Sequence, residues 1–133
     1  MIYEFIIEQL KGSGIENELI FPVGANLDGV ITPDPELHFA VYTIRSRTPE
    51  YDLSMDVHRY REDVLIDFIA RRYDRVHRMY DSAERVFVAS DPDTWEDEWI
   101  HSVECSSPEP DAFDPEFGLY RRTMLLKINW TPV

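Results

Sequence analysis

The strongest constraint on the fold comes from two long segments in which apolar and polar residues alternate. Residues 58–70 and 117–130 both repeat with a period of two, which is the period of a β-strand. Because one side of each segment is apolar and the other is largely polar, we expect antiparallel strands with one buried face and one wet face. The residues predicted to face the core from these strands are Val64, Ile66, Phe68, Met124, Leu126 and Ile128.

A helical pattern lies between these two strands. Residues 73–88 place apolar side chains at the three- and four-residue spacing of an amphipathic helix. A shorter helix is predicted over residues 2–11, and the glycines at positions 12 and 14 end it. The residues of the longer helix that are predicted to enter the core are Val76, Met79, Tyr80 and Ala83.

The remaining strands are predicted to be shorter. Residues 18–22 indicate a brief strand and residues 38–46 a longer one, with 47–56 as a connection. A long loop rich in glycine and proline separates them at 23–37. Residues 98–105 alternate again, and this pattern places on one face the side chains of Trp99, His101, Val103 and Cys105.

Together these elements predict a single α+β domain over residues 1–133. We expect an antiparallel sheet of about four strands, with two helices packed on one face. The predicted order along the chain is helix, strand, strand, helix, strand, strand, with the brief strand at 18–22 as an addition.

Charge is distributed unevenly along the chain. The formal net charge is −13, and no lysine or arginine occurs between Arg85 and Arg121. We call this the acid-only segment, and we expect it to form exposed loops at 90–97 and 106–116. Such a surface suits a basic partner, a cation or a place that must not hold DNA. Its acids are Asp91, Asp93, Glu96, Asp97, Glu98, Glu104, Glu109, Asp111, Asp114 and Glu116.

A group of arginines precedes the acid-only segment. Acidic residues alternate with these arginines, so ion pairs within the chain are one interpretation. Contact with the acid-only segment of a neighbouring subunit is the other interpretation. The candidate interface bases are Arg71, Arg72, Arg75, Arg78 and Arg85.

The sequence carries no recognisable catalytic or metal-binding motif. Cys105 is the only cysteine, which excludes an intrachain disulfide and a cysteine metal cluster. The spacing of Asp91, Asp93 and Glu96 could suit a cation, but the glycine of a calcium loop is missing, and a solvated loop is favoured. We expect no enzyme activity, cofactor or metal. The histidines are dispersed and lack the spacing of a zinc helix: His38, His58, His77 and His101.

No membrane segment is expected either. Residues 1–10 include Glu4 and Glu8 and lack the basic region of a secretory signal. No apolar run approaches the ~18 residues that can cross a bilayer.

Three stretches resemble the tail-completion family of long-tailed bacteriophages and prophages, also called tail-terminator or neck proteins. They are FAVYTIRSRTPEYDL at 39–53, HRYREDVLIDFIARRYDRVHRMYDSAERVF at 58–87 and FGLYRRTMLLKINW at 117–130. They occur in the family's order and cover about half of the chain. The loop at 23–37 and the acid-only segment depart from the family's pattern.

This resemblance implies a non-enzymatic structural subunit. It implies a ring of copies of this chain, typically a hexamer, that ends the growing tail tube and joins it to the head–neck connector. The implied partners are therefore the chain itself, the tail-tube protein and the connector, and DNA would pass through the ring without specific binding. The implied location is the tail–neck region of the virion, after assembly in the host cytoplasm.

Two alternatives remain open at this point. The chain could be another head–tail connector or head-closure protein, which would share the same surroundings in a virion. It could also be an acidic inhibitor that mimics DNA, which would need carboxylates spaced like phosphates.

Overall fold

The computed structural model describes residues 2–51, 53–54, 57–89, 93–95 and 98–132. Two helices and seven strands are present in these residues, together with a 3-10 turn at Asn17–Leu19. In chain order the elements are α1 (Ile2–Gly12), β1 (Ile20–Pro22), β2 (His38–Tyr51), β3 (Val57–Ala70), α2 (Tyr73–Ala89), β4 (Asp93–Trp95), β5 (Glu98–Ser106), β6 (Ala112–Asp114) and β7 (Leu119–Pro132).

The strands form one mixed sheet. Six of them lie side by side in the order β1-β2-β3-β7-β5-β4, and β6 pairs with the beginning of β7. All neighbours are antiparallel except β1 and β2, which are parallel. The predicted α+β class with two helices is confirmed, and the prediction of about four antiparallel strands agrees only roughly with the mixed sheet of seven strands. Strand β1 lies within the brief strand that was predicted at 18–22, whereas β4 and β6 were not predicted, because three residues are too few for a visible period.

The main core lies between the sheet and the two helices. Burial of large apolar side chains there removes them from water, at about 1.5–3 kcal/mol for each. The helices also contact each other, with the rings of Phe5 and Phe87 in an edge-to-face pair at 6.3 Å. All the residues predicted to form the core are buried: Val64, Ile66, Phe68, Val76, Met79, Tyr80, Ala83, Met124, Leu126 and Ile128.

A second, smaller cluster occupies part of the opposite face of the sheet. Phe39 and Leu119 are buried there, and the loop at 23–37 covers them with Leu27, Val30 and Ile31. The amides of Val30 and Ile31 donate to the carbonyl of Leu27, at 2.9 and 3.0 Å, which closes a turn over the strands. This explains the length of the loop, because the loop supplies an apolar cover where the helices supply none.

Strand β2 is longer than predicted. The segment 47–56 was predicted to be a connection, but residues 47–51 continue to pair with β3. Pro49 is compatible with a strand here because it lies on an edge strand, where a missing amide costs little. A β-bulge at Arg45 shifts the register between Ile44 and Ser46, so the side chains beyond it change faces.

A second β-bulge, in β5, changes which side chains of that strand face the core. The pairing with β7 skips one residue at His101, between Ile100 and Ser102. The extra residue reverses the alternation at the N-terminal end of the strand. Ile100 is therefore buried while Trp99 is 52% exposed, and the predicted face of Trp99, His101, Val103 and Cys105 was wrong for its first two members.

Strands β5 and β6 lie along the same side of β7. Strand β5 pairs with β7 at residues 125–132, and β6 pairs with it at residues 119–121. Residues 107–111, which connect these two strands, form a loop outside the sheet. Within the described residues, neither helix is long and apolar enough to cross a membrane.

Candidate interaction surfaces

The described part of the acid-only segment is divided between two ends of the sheet. Asp93 pairs with Ile100, which lies opposite Trp130 on β7. Asp114 pairs with Leu119, eleven residues away along β7. At the usual rise of a strand this separation is roughly 36 Å. The described backbone of the segment therefore extends between the two ends of the sheet, and its exposed acidic side chains that are described are Glu104 on β5 and Glu109, Asp114 and Glu116 at the second end.

Several predicted acids cannot be assigned a side-chain environment. Asp91, Glu96 and Asp97 lie outside the described residues. Asp93 and Glu98 are described only through their backbone, in β4 and β5. Their proposed place in a lumen or interface stays a prediction, and so does the solvated loop that was favoured over a cation site for Asp91, Asp93 and Glu96.

Asp111 is held by contacts within the chain. Its carboxylate accepts a hydrogen bond from the Tyr73 hydroxyl at 2.7 Å and lies 3.1 Å from His77 Nε2. Arg122 Nη1 lies 3.3 Å from the same carboxylate. Burial disfavours the ionised form, but the Tyr73 hydroxyl, Arg122 and His77 outweigh it and hold the pKa of Asp111 below its ordinary value. Asp111 thus fastens the 107–111 loop to α2.

The other acids at this end of the sheet are exposed. Asp114 begins a tight turn, because its side chain accepts from the Glu116 amide at 2.9 Å and its carbonyl accepts from the Gly118 amide at 2.8 Å. Gly118 has a φ of 65°, a conformation that side chains disfavour. Glu109 lies 3.9 Å from Arg121, and both side chains are exposed.

Exposed aromatic rings accompany these acids. Phe113 is 51% exposed and Phe117 is 46% exposed. The ring of Phe113 lies 4.6 Å from that of Tyr120, beside a shallow groove of about 440 Å³. We call Phe113, Asp114, Glu116 and Phe117 the acidic aromatic turn. Exposed aromatic residues next to charged ones are common at protein interfaces.

Most of the candidate interface bases have partners within the chain. Arg71 donates to the carbonyls of Thr32 and Phe117 at 2.8 and 2.6 Å, so it joins the 23–37 loop to the acidic aromatic turn. Arg72 pairs with Glu36 at 3.1 Å and with Asp74 at 2.9 Å. Arg78 also contacts Asp74, and these two guanidinium groups hold the pKa of Asp74 below its ordinary value.

The last two bases differ from these. Arg75 lies 3.3 Å from the Nε2 atom of His38. Arg85 is exposed on α2. The interpretation as ion pairs within the chain therefore fits Arg72 and Arg78, and a role of these five arginines in an interface stays a prediction.

One polar cluster was missed by the sequence analysis. Glu62 is fully buried on β3, and its carboxylate lies 2.6 Å from Arg47 Nε on β2. Trp130 Nε1 donates to the same carboxylate at 3.2 Å, and the Tyr60 ring stacks on Trp130 at 4.9 Å. The guanidinium of Arg47 lies over both rings, at 5.7 and 5.4 Å. The sequence does contain a signal for this cluster. Glu62 is two residues from Val64, so the alternation of the strand places it on the apolar side.

The described residues hold no cluster of three or more histidine, cysteine or acidic side chains that could bind a metal ion. His77 pairs with Asp111, and His101 lies 2.6 Å from the Thr131 hydroxyl. Cys105 faces the core, and burial, followed by the charge of Glu84, raises the pKa of its thiol to about 11. A thiol with this pKa is a poor nucleophile at neutral pH.

No known protein family model matches the chain, and a search of curated proteins found no match either.

Proposed function

We propose that this chain is the structural subunit of a ring that ends the tail tube of a long-tailed bacteriophage or prophage. In this proposal the ring joins the tube to the head–neck connector and conducts DNA without binding it specifically. The proposal starts from the resemblance of three stretches of the sequence to tail-terminator proteins.

The observation that carries the proposal is the spatial arrangement of those three stretches. They contribute β2, β3 with α2, and β7, and these three strands are consecutive neighbours in the centre of the sheet. These stretches supply most of the buried residues of the main core, and α1 supplies most of the others. The resemblance therefore covers one cooperative structural unit rather than scattered fragments.

The distribution of acids is consistent with a ring subunit that contacts different partners on its two faces. If the strands run along the ring axis, the two ends of the sheet become the two faces of the ring. One end carries the acidic aromatic turn, and the backbone of Asp93 lies toward the other end. The acidic aromatic turn would then lie on one face of the ring.

The net charge fits the passage of DNA. A chain with a formal charge of −13 repels phosphate, so a lumen built from several copies would not retain the genome. Asp111 contributes little to such a repulsive surface, because its charge is compensated by Arg122 and its carboxylate also accepts a hydrogen bond from Tyr73.

A DNA mimic is less well supported. Such an inhibitor needs an extended array of free carboxylates, whereas Asp111 is engaged by Tyr73 and Arg122 and Glu109 lies 3.9 Å from Arg121. A different head–tail connector remains the main alternative, since it would share the ring and the acidic lumen. Binding to tube ends rather than to portal-side proteins separates these two functions.

Electron microscopy of the purified chain, alone and mixed with polymerising tube subunits, tests the proposal. We expect rings on the ends of tubes and shorter tubes as the chain is added, because a capped end cannot grow. Native mass spectrometry of the same mixtures gives the number of copies in the ring. A chain that stays monomeric at high concentration and leaves tube length unchanged would contradict the proposal.

A further inference from the structure

Strand β2 has a free edge. Strand β1 pairs with it only from Ala40 to Tyr42. From Thr43 to Tyr51, the side of β2 that faces away from β3 has no strand beside it in the part of the chain that is described. The backbone groups along such an edge are available to pair with another strand.

Strand β5 has a free edge at the opposite side of the sheet. Strand β4 pairs only with residues 98–100. Residues 101–106 therefore have no strand on their outer side among the described residues. On each side of the sheet, a short strand pairs with only three residues of the edge strand. The uncovered part of each edge strand is longer than that.

The two free edges occupy the same position along the strand direction, as the pairing across the sheet shows. Reading across the four central strands, one row contains Thr43, Leu65, Leu125 and Ser106. A second row contains Thr48, Arg61, Asn129 and Ser102. Residues 43–48 and residues 101–106 therefore span the same rows. Copies placed side by side would bring them together without any shift along the strands.

The strand directions are also compatible. Strand β2 is antiparallel to β3, β3 to β7, and β7 to β5, so β5 runs opposite to β2. When two copies stand in the same orientation, β2 of one meets β5 of the next as an antiparallel pair. A contact of this kind joins different surfaces and closes into a ring when each step rotates by a constant angle.

Charge distinguishes this contact from an arbitrary pairing of edges. Arg45 occupies the bulge of β2 and is exposed, next to the row that contains Ser46 and Glu104. Glu104 is exposed on β5. Within the described chain neither side chain has a hydrogen bond or an ion pair. Opposite charges at the same position along the strands favour the pairing of β2 with β5, and they disfavour the pairing of two identical edges.

We propose that copies of this chain join edge to edge, with residues 43–48 of β2 antiparallel to residues 101–106 of β5 in the next copy. Arg45 then faces Glu104 of the next copy, and the sheets become continuous around the ring. This inference rests on the proposed function, because it specifies how that ring is built. Pro49 and the two bulges limit the pairing to this short region and protect the edges from other strands.

Charge reversal tests the contact. Arg45→Glu and Glu104→Arg are each expected to raise the concentration needed for half-assembly by about tenfold or more, and the double variant should restore assembly. Assembly is measured by native mass spectrometry and sedimentation, or on tube ends if rings form only there. Lys11→Glu and Glu16→Arg are the controls, since they make the same changes of net charge at exposed sites on and just after α1, away from both free edges.

Hydrogen exchange provides an independent measurement. Amides within 43–48 and 101–106 should become protected when the wild-type chain assembles. Unchanged exchange in both segments would overturn the edge contact, and so would single variants that assemble like the wild type or a double variant that stays impaired. Rings that still form and cap tubes in those cases would leave the proposed function standing. A wild-type chain that neither assembles nor caps tubes would reject both.

Discussion

Asp111 is a residue whose role depends on partners that are distant in the sequence. Its charge is surrounded by Tyr73 and His77 of α2 and by Arg122 of β7. Although it belongs to the acid-only segment, its carboxylate serves to anchor a loop. Composition alone groups it with Glu109 and Asp114, whose side chains are exposed.

Replacing Asp111 should therefore change the stability of the fold and its dependence on pH. We expect Asp111→Asn to lower the free energy of unfolding by about 1–2 kcal/mol at pH 7, because it removes charged hydrogen bonds. The folded-state pKa lies below the ordinary value of 3.8, so this stabilisation is present above that value and is lost as the pH falls through the folded-state pKa.

Thermal unfolding between pH 2 and 7 is the measurement for this variant. The difference in melting temperature between Asp111→Asn and the wild type should shrink toward the acidic end. Glu109→Gln is the matched control, because its carboxylate is exposed and only 3.9 Å from Arg121. A constant difference across the whole range would show that the charge of Asp111 does not stabilise the fold.

Phe68 shows what a single core residue contributes to stability. It is fully buried on β3 and forms an edge-to-face pair with Tyr80 of α2 at 6.0 Å. Phe68→Ala should lower the free energy of unfolding by about 2–5 kcal/mol in chemical denaturation, because it leaves a cavity. Leu53→Ala should change it by less than about 0.5 kcal/mol, since Leu53 is fully exposed. Equal effects of the two substitutions would contradict the assignment of the core.

At the scale of elements, the hairpin of β2 and β3 combines an apolar half and a polar half. Near its beginning, Ala40 and Phe68 belong to the core below the helices. Farther along, Arg47 pairs with Glu62, and the Glu62 side chain is buried while the Arg47 side chain is 40% exposed, with its guanidinium over the rings of Tyr60 and Trp130. A hydrogen-bonded pair of this kind can specify the register of a strand, although its net energy is small.

Breaking that pair from one side should destabilise the hairpin. Arg47→Met is expected to cost about 2–4 kcal/mol in equilibrium unfolding, because Glu62 loses a cationic partner in a buried site. Arg59→Met should cost only about 0–1 kcal/mol, because the pair between Arg59 and Glu50 is exposed. These two arginines lie in the same hairpin, so the comparison isolates the effect of burial.

A double substitution completes the comparison. Arg47→Met combined with Glu62→Met should recover much of the loss, because it removes the buried charge together with its partner. If the single Arg47 variant were as stable as the wild type, the ion pair would have no role in holding the two strands in register.

For the whole molecule, the question is what the exposed acids contribute. Glu109→Gln, Asp114→Asn and Glu116→Gln together remove three negative charges, which changes the formal net charge from −13 to −10. We expect each substitution to change stability by only about 0–1 kcal/mol, because exposed charges contribute little. Asn at position 114 retains an oxygen that can accept from the Glu116 amide.

Function should respond more strongly than stability in this triple variant. If this end of the sheet is a face of the ring, capping of tubes or docking of the connector should weaken while ring formation continues. The matched control neutralises Glu16, Glu18 and Asp81, which are exposed on other parts of the surface. Equal loss of capping in both triple variants would attribute the effect to net charge rather than to the acidic aromatic turn.

Local periodicity was sufficient to determine the central elements. The alternation in 58–70 and 117–130 and the helical spacing in 73–88 identified β3, β7 and α2, together with all the core residues that were predicted from them. This succeeded because the side-chain direction in a regular strand or helix follows from position along the chain. The same periodicity places Glu62 on the apolar side of β3, but its burial was missed because its partner Arg47 is distant in the sequence.

The tertiary structure alone decided how these elements meet. Strand order, the extension of β2 to Tyr51 and the bulges at Arg45 and His101 depend on pairing between residues that are far apart in the chain. The same pairing carries the described backbone of the acid-only segment from one end of the sheet to the other, and the Tyr73 hydroxyl ties Asp111 to α2. The sequence by itself determined which residues carry charge and which are apolar. Only the fold determined which charges remain exposed, because neutralisation requires a partner that pairing between distant strands brings close.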